Sequence, residues 1–332
     1  MRAMHDVAVV PGDGVGREVV PEAVRVLEST GLGFNFHSFD VGYEVFKRVG
    51  NPVPDEAVSG IRESPVCLFG ATTTPVAIKN YSSAILTLRK ALGVYANIRP
   101  AKSCPVKGSR DGVDLVVVRE NTEGLYSGIE FGDEERAFTL RVITREASER
   151  IARCAFELAM SRRRLLTVVT KANILRKTDG LFREASLRVA EEYPEVEVNE
   201  LFVDVAAMHM VMKPQIFDVI LAPNLYGDIL SDEAAGLVGG LGLAPSASIG
   251  NEYALFEPVH GSAPDIAGKG IANPMAAILS AKMLLEHIGE DGWAHRLEAA
   301  VLSVLEEGRH LTPDIGGNAT TLEVTDAIID AT

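Results

Sequence analysis

Three arginines lie where predicted strands or helices end, and they could bind an anion together. Arg89 falls in "LTLRKALG", Arg99 ends "VYANIRP" and Arg119 ends "DLVVVRE". The planar guanidinium matches a carboxylate or a phosphate through two hydrogen bonds. Because α/β proteins place ligands at strand ends, a converging trio would suit a di- or tricarboxylate. The alternative is that each arginine is a solvated surface side chain.

A pair of aspartates could hold a metal ion. Asp228 and Asp232 lie four residues apart in "NLYGDILSDEAAGL", and on a helix that spacing places both carboxylates on one face. A shared Mg²⁺ or Mn²⁺ would relieve their repulsion, since these ions take oxygen ligands. Asp204, which ends "ELFVD", could complete the set. Alternatively, Asp228 caps the helix and Asp232 is solvated.

Two further residues could move protons. Tyr126 in "RENTEGLYSG" and Lys171 in "TVVTKANILRKTDG" both follow predicted strands. A lysine near cations and a metal ion has its neutral form favoured, and a general base needs that form. The alternative for Lys171 is an ordinary solvated lysine.

A glycine loop near the start of the chain has the wrong spacing for a dinucleotide fingerprint. In "VVPGDGVGREVVPEA" (9–23), Gly12 and Gly14 are followed by Gly16, and Arg17 stands where the third glycine belongs. The spacing therefore predicts a tight turn between a strand over 7–10 and a helix toward Leu27.

The elements that must position these residues alternate between two patterns. Helical periodicity in "EASERIARCAFELAM" (146–160) places Ile151, Ala155 and Leu158 on one stripe. The glycine- and proline-punctuated stretch 239–264 is expected to be a hinge, a binding loop or both. The alternation predicts an α/β sheet. Short β-branched runs begin at 7, 66, 114, 165, 200 and 218.

Composition limits the classes of function. With 332 residues, 47% hydrophobic and 23% charged, the chain can form two ordinary globular domains. A net charge of −14 argues against a nucleic-acid partner or an anionic membrane surface, so an anionic ligand must meet a concentrated cationic pocket. The three cysteines form no CxxC pair, so we expect neither a disulfide nor a zinc site. Without a signal-length apolar core, a cytoplasmic protein is expected.

These separate signals coincide with one family. The motifs "GDGVG", "LRKALGVYANIRP", "RENTEGLY", "TKAN", "NLYGDILSDEAAGLVGGLGLAPSASIG" and "FEPVHGSAPDIAGKGIANP" occur in this order. They resemble the β-decarboxylating dehydrogenases that act on isocitrate, 3-isopropylmalate and homoisocitrate. The resemblance extends from residue 7 to about residue 325.

The resemblance implies a role for each charged residue. The three arginines would clamp the malate carboxylates common to all substrates. Asp228 and Asp232, joined by Asp204 from the neighbouring subunit, would hold Mg²⁺ or Mn²⁺. Lys171, also donated across a dimer interface, would act as the base. Tyr126 would help to protonate the enol, and a monomer would be inactive.

The resemblance also implies NAD as the cofactor, bound outside any Rossmann unit. His260 would stack near adenine, Asn273 would border it, and the glycine loop would shape the cleft floor near the nicotinamide. Asp265 would accept hydrogen bonds from the ribose and repel a 2′-phosphate; NADP-using members carry lysine and tyrosine where this chain has Asp265 and Ile266. The implied cofactor set is Thr72, Glu257, His260, Gly261, Ser262, Ala263, Asp265, Ile266 and Asn273.

The group on C3 of the substrate would meet "NYSSAILTLRK". Ile85 and Leu86 would offer an apolar wall to an isopropyl group, whereas Ser82, Ser83 or the cation of Lys79 would suit a distal carboxylate. Similarity to archaeal homoisocitrate dehydrogenases favours homoisocitrate, with 3-isopropylmalate next. Isocitrate and a tartrate- or malate-type acid are the alternatives. A non-catalytic regulatory subunit is a further alternative, although the lysine, tyrosine and aspartates it would lose are all present.

The expected architecture is the two-domain α/β fold of isopropylmalate and isocitrate dehydrogenases, with a mixed sheet flanked by helices, and not a Rossmann fold. The first domain would comprise 1–95 and 239–332, with both termini and the NAD-binding loops. The second, 96–238, would carry the metal and substrate residues and the dimer interface. A homodimer with shared active sites is expected, with a tetramer left open. Its isologous contact would be made by the helix at 148–160.

Overall fold

The computed structural model describes residues 4–78 and 81–332. In chain order, its strands are β1 (Met4–Gly12), β2 (Gly33–Ser38), β3 (Val66–Ala71), β4 (Ala96–Lys102), β5 (Asp114–Glu120), β6 (Glu130–Gly132), β7 (Ala137–Thr139), β8 (Leu165–Thr170), β9 (Glu197–Phe202), β10 (Val219–Ala222), β11 (Pro245–Ile249) and β12 (Ala254–Pro258). Its α-helices are α1 (Gly16–Ser29), α2 (Tyr43–Val49), α3 (Asp55–Ile61), α4 (Ala84–Leu92), α5 (Arg145–Met160), α6 (Thr178–Ala190), α7 (Val203–Met212), α8 (Asn224–Leu237), α9 (Met275–His287), α10 (Asp291–Glu307) and α11 (Thr321–Ala331).

One compact unit comprises Met1–Val94, Cys104–Ser109 and Val238–Thr332. Its strands follow the order β2-β1-β3-β12-β11, and only the last of these pairings is antiparallel. The "VAVV" of β1 and all of β3 are buried, because helices such as α1 and α9 cover them. In the sequence, strands that are buried on both faces are continuous runs of apolar residues.

The other compact unit comprises Tyr95–Ser103 and Arg110–Leu237. Its strands follow the order β4-β5-β10-β8-β9, with β4 antiparallel to β5 and the remaining pairings parallel. Helix α5 packs on β5, β8 and β10, and helices α7 and α8 contact each other. The predicted fold class, a mixed sheet flanked by helices, is confirmed.

Helix α5 forms where its periodicity predicts, and it packs on the sheet of its own chain. Thr144 caps the helix by accepting a hydrogen bond from the backbone of Ala147. Most of its apolar stripe, including Ile151 and Phe156, is completely buried, whereas Leu158 is half-buried. The contact of α5 with a symmetry mate stays a prediction, which this burial within its own chain disfavours.

Three local expectations differ from the structure. The stretch 239–264 is not a continuous loop, because it contains the antiparallel strands β11 and β12. Asp204 does not end a strand; it lies in the first turn of α7, directly after β9. Segment Cys104–Ser109 clusters with the first unit, although the sequence analysis placed it in the second.

None of the helices in the described part of the chain combines the length and apolar content that crossing a membrane requires.

Candidate active site

The parallel strands of the second unit bring several functional candidates to one edge of the sheet. Strands β5, β10, β8 and β9 run in the same direction, so their carboxyl ends lie along the same edge. Arg119 is the penultimate residue of β5, Lys171 follows β8 directly, and α8 begins two residues after β10. Ligands of open α/β sheets bind at this edge.

Arg119 is held by helix α8. Only 2% of Arg119 is exposed. Its Nε and Nη2 donate to Oδ1 of Asn224 at 3.0 and 2.7 Å, and its Nη1 donates to Oδ1 of Asp228. A side chain at residue 227 would collide with this arrangement, because a Cβ on Gly227 would lie 2.7 Å from Cβ and Cγ of Arg119.

Arg99 joins the two predicted metal-binding aspartates. From β4, its Nη1 lies 3.4 Å from Oδ1 of Asp228 and 3.1 Å from Oδ1 of Asp232. It also donates to Oγ of Ser231 at 2.8 Å. Both carboxylates therefore lie on one face of α8, as their spacing predicts. Burial raises the pKa of Asp232, the charge of Arg99 opposes that rise, and the charge of Asp228 adds to it.

Tyr126 lies in the same cluster. Its hydroxyl donates to Oδ2 of Asp228 at 2.5 Å, and the guanidinium of Arg119 lies 5.1 Å from the centre of its ring. Burial raises the pKa of Tyr126, and the hydrogen bond to Asp228 raises it further. The neutral phenol is therefore the stable form, and it is positioned to donate a proton.

Asp228 and Asp232 have the chemistry that a divalent cation requires. Hard ions such as Mg²⁺ and Mn²⁺ prefer carboxylate oxygens, and two acidic side chains here already share cationic neighbours. Within residues 4–78 and 81–332, no group of three or more histidine, cysteine, aspartate or glutamate side chains could hold a metal ion. Asp204 pairs instead with Lys171 of the same chain.

Lys171 has a carboxylate as its neighbour. Its Nζ donates to Oδ1 of Asp204, and the same Nζ lies 5.6 Å from the ring centre of Phe202. The hydrogen bond from Lys171 lowers the pKa of Asp204. The sequence predicts cations and a metal ion around this lysine, but its neighbour Asp204 has the opposite charge.

Arg89 lies in the first unit, in helix α4, and is paired there. It is 5% exposed, and its Nη2 donates to Oε1 of Glu257, on β12, at 2.7 Å. Its Nε is buried and has no hydrogen-bond partner among the described atoms. That donor is available to a carboxylate ligand, but the convergence of Arg89 with Arg99 and Arg119 stays a prediction.

Several predicted cofactor residues line one cavity of the first unit. The cavity has a volume of about 390 Å³, and its walls are largely apolar. His260, Ala263, Ile266 and Asn273 of the predicted set lie in its wall. Burial lowers the pKa of His260, so its ring is neutral and suited to stacking on a flat aromatic group. Asp265 lies nearby in the sequence and is exposed.

Sequence reasoning missed part of this cavity. Asp314 lines it and accepts a hydrogen bond from Nδ2 of Asn273 at 3.1 Å. Gly242 and Pro313 also contribute, each from a short 3-10 helix. The signal for Asp314 in the sequence is its position between a proline and two glycines in "LTPDIGGN", which is weak evidence for a binding residue.

The glycine loop supports the segment around Ser262. The backbone N–H of Val15 donates to the carbonyl of Ser262 at 2.9 Å, and Oγ of Ser262 lies 2.6 Å from Oγ1 of Thr73. Asp13, also missed, is 3% exposed and accepts backbone hydrogen bonds from Tyr43, Glu44 and Thr73. The loop is thus a tight turn, as predicted, and it fixes two neighbouring loops.

The remaining predicted residues are less constrained. Ser83 precedes α4 and its carbonyl accepts a hydrogen bond from the backbone of Thr87, whereas Ser82 is exposed. Thr72 and Gly261 are at least partly exposed, and Gly261 accepts a hydrogen bond from His260. Lys79 lies outside the described residues.

Gly14→Ala is expected to lower stability and, if the predicted cofactor NAD binds at this loop, to raise its KM about tenfold or more. The new Cβ would lie 1.9 Å from the carbonyl oxygen of Ser262, so the Ser262 segment must move. Steady-state kinetics and thermal denaturation would measure both effects. Gly31→Ala is the matched control, because Gly31 also has a positive φ but its Cβ would meet no atom within 4 Å. Equal KM values for the two variants would contradict the assigned support.

The chain resembles known proteins along almost its full length. Residues 6–328 match the family model described as "Isocitrate/isopropylmalate dehydrogenase". An "Isocitrate/homoisocitrate dehydrogenase" of Thermus thermophilus is 54% identical over 98% of both chains. A "3-isopropylmalate dehydrogenase" of Archaeoglobus fulgidus is 50% identical over 96% of this chain and 97% of its own. The crystal structure of an isocitrate dehydrogenase from Methylococcus capsulatus superposes with a TM-score of 0.95, at 48% identity and 99% coverage of both chains.

Proposed function

This chain belongs to the isocitrate/isopropylmalate dehydrogenase family, and from that membership we propose that it oxidises and decarboxylates a 3-substituted malate with NAD and a divalent metal ion. It is an oxidative decarboxylating dehydrogenase, and enzymes of the family use NAD(P) and a divalent metal ion. The observation that carries the proposal is the cluster in which Arg99, Arg119 and Tyr126 all contact Asp228.

The residues of this cluster have complementary tasks in the proposed reaction. Arg99 and Arg119, joined by Arg89, bind the substrate carboxylates, since guanidinium groups suit planar anions. Asp228 and Asp232 hold the metal ion, with Asp204 from the neighbouring subunit. When bound, the ion supplies positive charge near the oxygen that becomes anionic as CO₂ leaves.

Proton transfer completes the proposed sequence. NAD, when bound, would supply the hydride acceptor for oxidation of the carbinol carbon, and Lys171 would accept the hydroxyl proton. Loss of CO₂ from the resulting 3-carboxy-2-oxo acid leaves an enolate, and the phenol of Tyr126 delivers the proton that converts it to the 2-oxo acid. The raised pKa of Tyr126 keeps this proton in place until the enolate forms.

NAD is the proposed cofactor, held at its adenosine end by the cavity around His260. The remaining members of the set are Thr72, Glu257, Gly261, Ser262, Ala263, Asp265, Ile266 and Asn273. Asp265 is exposed, so its carboxylate is free to accept hydrogen bonds from ribose hydroxyls. A 2′-phosphate on that ribose would meet the same negative charge.

Homoisocitrate is the proposed substrate, with 3-isopropylmalate next. The T. thermophilus relative is named for isocitrate and homoisocitrate, and the A. fulgidus relative for 3-isopropylmalate. Ile85 and Leu86 are half-buried on α4, while Ser82 is exposed. A surface that mixes apolar and hydroxyl groups is expected to accept more than one C3 group.

A homodimer is the proposed assembly, built through helices α7 and α8 and not through α5. Met208, Val211 and Met212 on α7 are 50%, 51% and 65% exposed, and Ile229 on α8 is 56% exposed. Large apolar side chains that cluster on adjacent helices favour burial against a second copy. This face lies on the helices that carry Asp204 and Asp228.

The purified chain is expected to form NADH from homoisocitrate, 3-isopropylmalate and isocitrate with decreasing kcat/KM, and to need Mg²⁺ or Mn²⁺. Chelation with EDTA should abolish turnover, and readdition of Mg²⁺ should restore it. NADP is expected to give a kcat/KM at least about 100-fold below that of NAD. Absence of NADH with all three acids would refute the function. A large preference for isocitrate would refute the substrate assignment, and equal use of NADP would refute the cofactor assignment.

A further inference from the structure

A buried set of polar contacts connects Lys171 to helix α8, outside the cluster described above. Asp179 lies in the first turn of α6 and is completely buried. Its Oδ2 accepts the backbone N–H of Lys171 at 2.6 Å, and its Oδ1 lies 2.9 Å from Nη2 of Arg141. Asp179 therefore joins the main chain at Lys171 to the guanidinium of Arg141.

Arg141 carries the connection on to α8. Its Nη1 donates to the hydroxyl of Tyr226 at 2.9 Å, and its guanidinium lies 4.6 Å from the centre of the Tyr226 ring. Tyr226 lies two residues before Asp228 in the same helix. An unbroken path of contacts thus runs from the backbone of Lys171, through Asp179 and Arg141, to the helix that presents Asp228.

A buried path of charged and polar contacts is an unusual way to stabilise a fold. A buried carboxylate is costly unless a cation and hydrogen bonds compensate it, and apolar side chains of similar volume often stabilise such a position as well or better. Apolar side chains make no directional contacts, so they do not fix the orientation of one segment relative to another. The planar guanidinium of Arg141 contacts both Asp179 and Tyr226, so its geometry sets the relation between the two segments.

We propose that Asp179 and Arg141 are positioning residues, which hold the Lys171 segment in register with helix α8. The inference rests on the proposed function and on the proposed dimer, because there α8 forms part of the interface across which Lys171 reaches the site of the neighbouring subunit. Neither Asp179 nor Arg141 need touch the substrate. Since a displacement of about 1 Å in a reacting group can cost about 100-fold in rate, even slight loosening of this connection should reduce turnover.

The test compares Arg141→Lys, Arg141→Met and Tyr226→Phe with the control Arg153→Met. Arg153 also forms ion pairs between helix α5 and neighbouring residues, but it is exposed and its partners are Glu149 and Glu192. The substrate is whichever of the three acids the wild-type chain oxidises fastest, with Mg²⁺ and NAD saturating. Each variant is assayed for kcat, for the KM of the acid and for the deuterium isotope effect at the carbinol carbon.

We expect kcat to fall about tenfold or more in Arg141→Met, with the KM of the acid changed by less than about twofold. Arg141→Lys should recover part of kcat because it keeps the charge beside Asp179. The isotope effect should rise in both variants as the chemical step becomes slower, a change that a merely less stable enzyme would not show. Arg153→Met should match the wild type.

Arg141→Met leaves a buried carboxylate unpaired and can fail to fold. Tyr226→Phe then carries the test, because it keeps the ring and the ion pair and removes only the hydroxyl contact; its kcat should fall by about threefold or more at unchanged KM. An active wild type with unaffected Arg141→Lys and Tyr226→Phe would overturn this inference alone. A wild type that oxidises none of the acids would overturn the proposed function and this inference together.

Discussion

Replacing Asp228 with asparagine is expected to lower kcat by about 1000-fold or more while the chain stays folded. The amide has nearly the same shape and still accepts hydrogen bonds, but it lacks the negative charge that a divalent cation requires. Arg119 is 2% exposed and would lose its anionic partner. The free energy of unfolding should therefore fall by about 2 kcal/mol.

Three measurements check this result: NADH formation, thermal denaturation, and the affinity for Mn²⁺ by equilibrium dialysis. Glu233→Gln is the matched control, since it removes one carboxylate from the same helix. Burial raises the pKa of Glu233, and among the described residues no arginine forms an ion pair with it. Asp228→Asn turnover within about tenfold of the wild type, with unchanged Mn²⁺ affinity, would remove this residue from the metal site.

Lys171→Met is expected to be inactive, with kcat about 1000-fold below the wild type, yet to recover activity when mixed with Asp228→Asn. In the proposed dimer, a site takes Asp228 from one subunit and Lys171 from the other. A mixed dimer therefore contains one intact site and one doubly defective site. Random exchange of subunits should restore about one quarter of the sites.

The mixing experiment distinguishes shared sites from self-contained ones. The two variants are unfolded and refolded together, and each is also refolded alone as its own control. Lys171→Met should unfold close to the wild-type temperature, because its ammonium pairs with Asp204 in a partly exposed setting where such pairs contribute little. Two inactive variants that stay inactive after mixing would show that Lys171 serves its own chain.

The local pattern of the chain predicts helix α8 and its chemistry well. The i,i+4 spacing places Asp228 and Asp232 on one helical face, and both carboxylates contact Arg99 there. The helical stripe of α5 is equally clear in the sequence. Periodicity does not reveal which surface covers an apolar stripe. The sequence predicts α5 at a dimer interface, whereas the structure shows that α5 packs on its own sheet.

The missed residues act through contacts far along the chain. Asn224 bridges Arg119 to the backbone of Glu123, and Asp179 links Lys171 to Arg141. In a sequence, an isolated asparagine or aspartate beside a helix instead predicts a cap or a turn residue. Strands β11 and β12 were missed because glycines and prolines recur along 239–264. Their pairing is tertiary, and composition alone favours a loop there.

The close approach of α8 to β5 limits how such an enzyme can diverge. Position 227 has no room for any side chain while an arginine occupies position 119, so the two residues can change only together. Selection for a different acid is thereby directed to the segment before α4, where Ser82 is exposed and can vary singly. New specificities should accumulate there, generation after generation, while Gly227 remains.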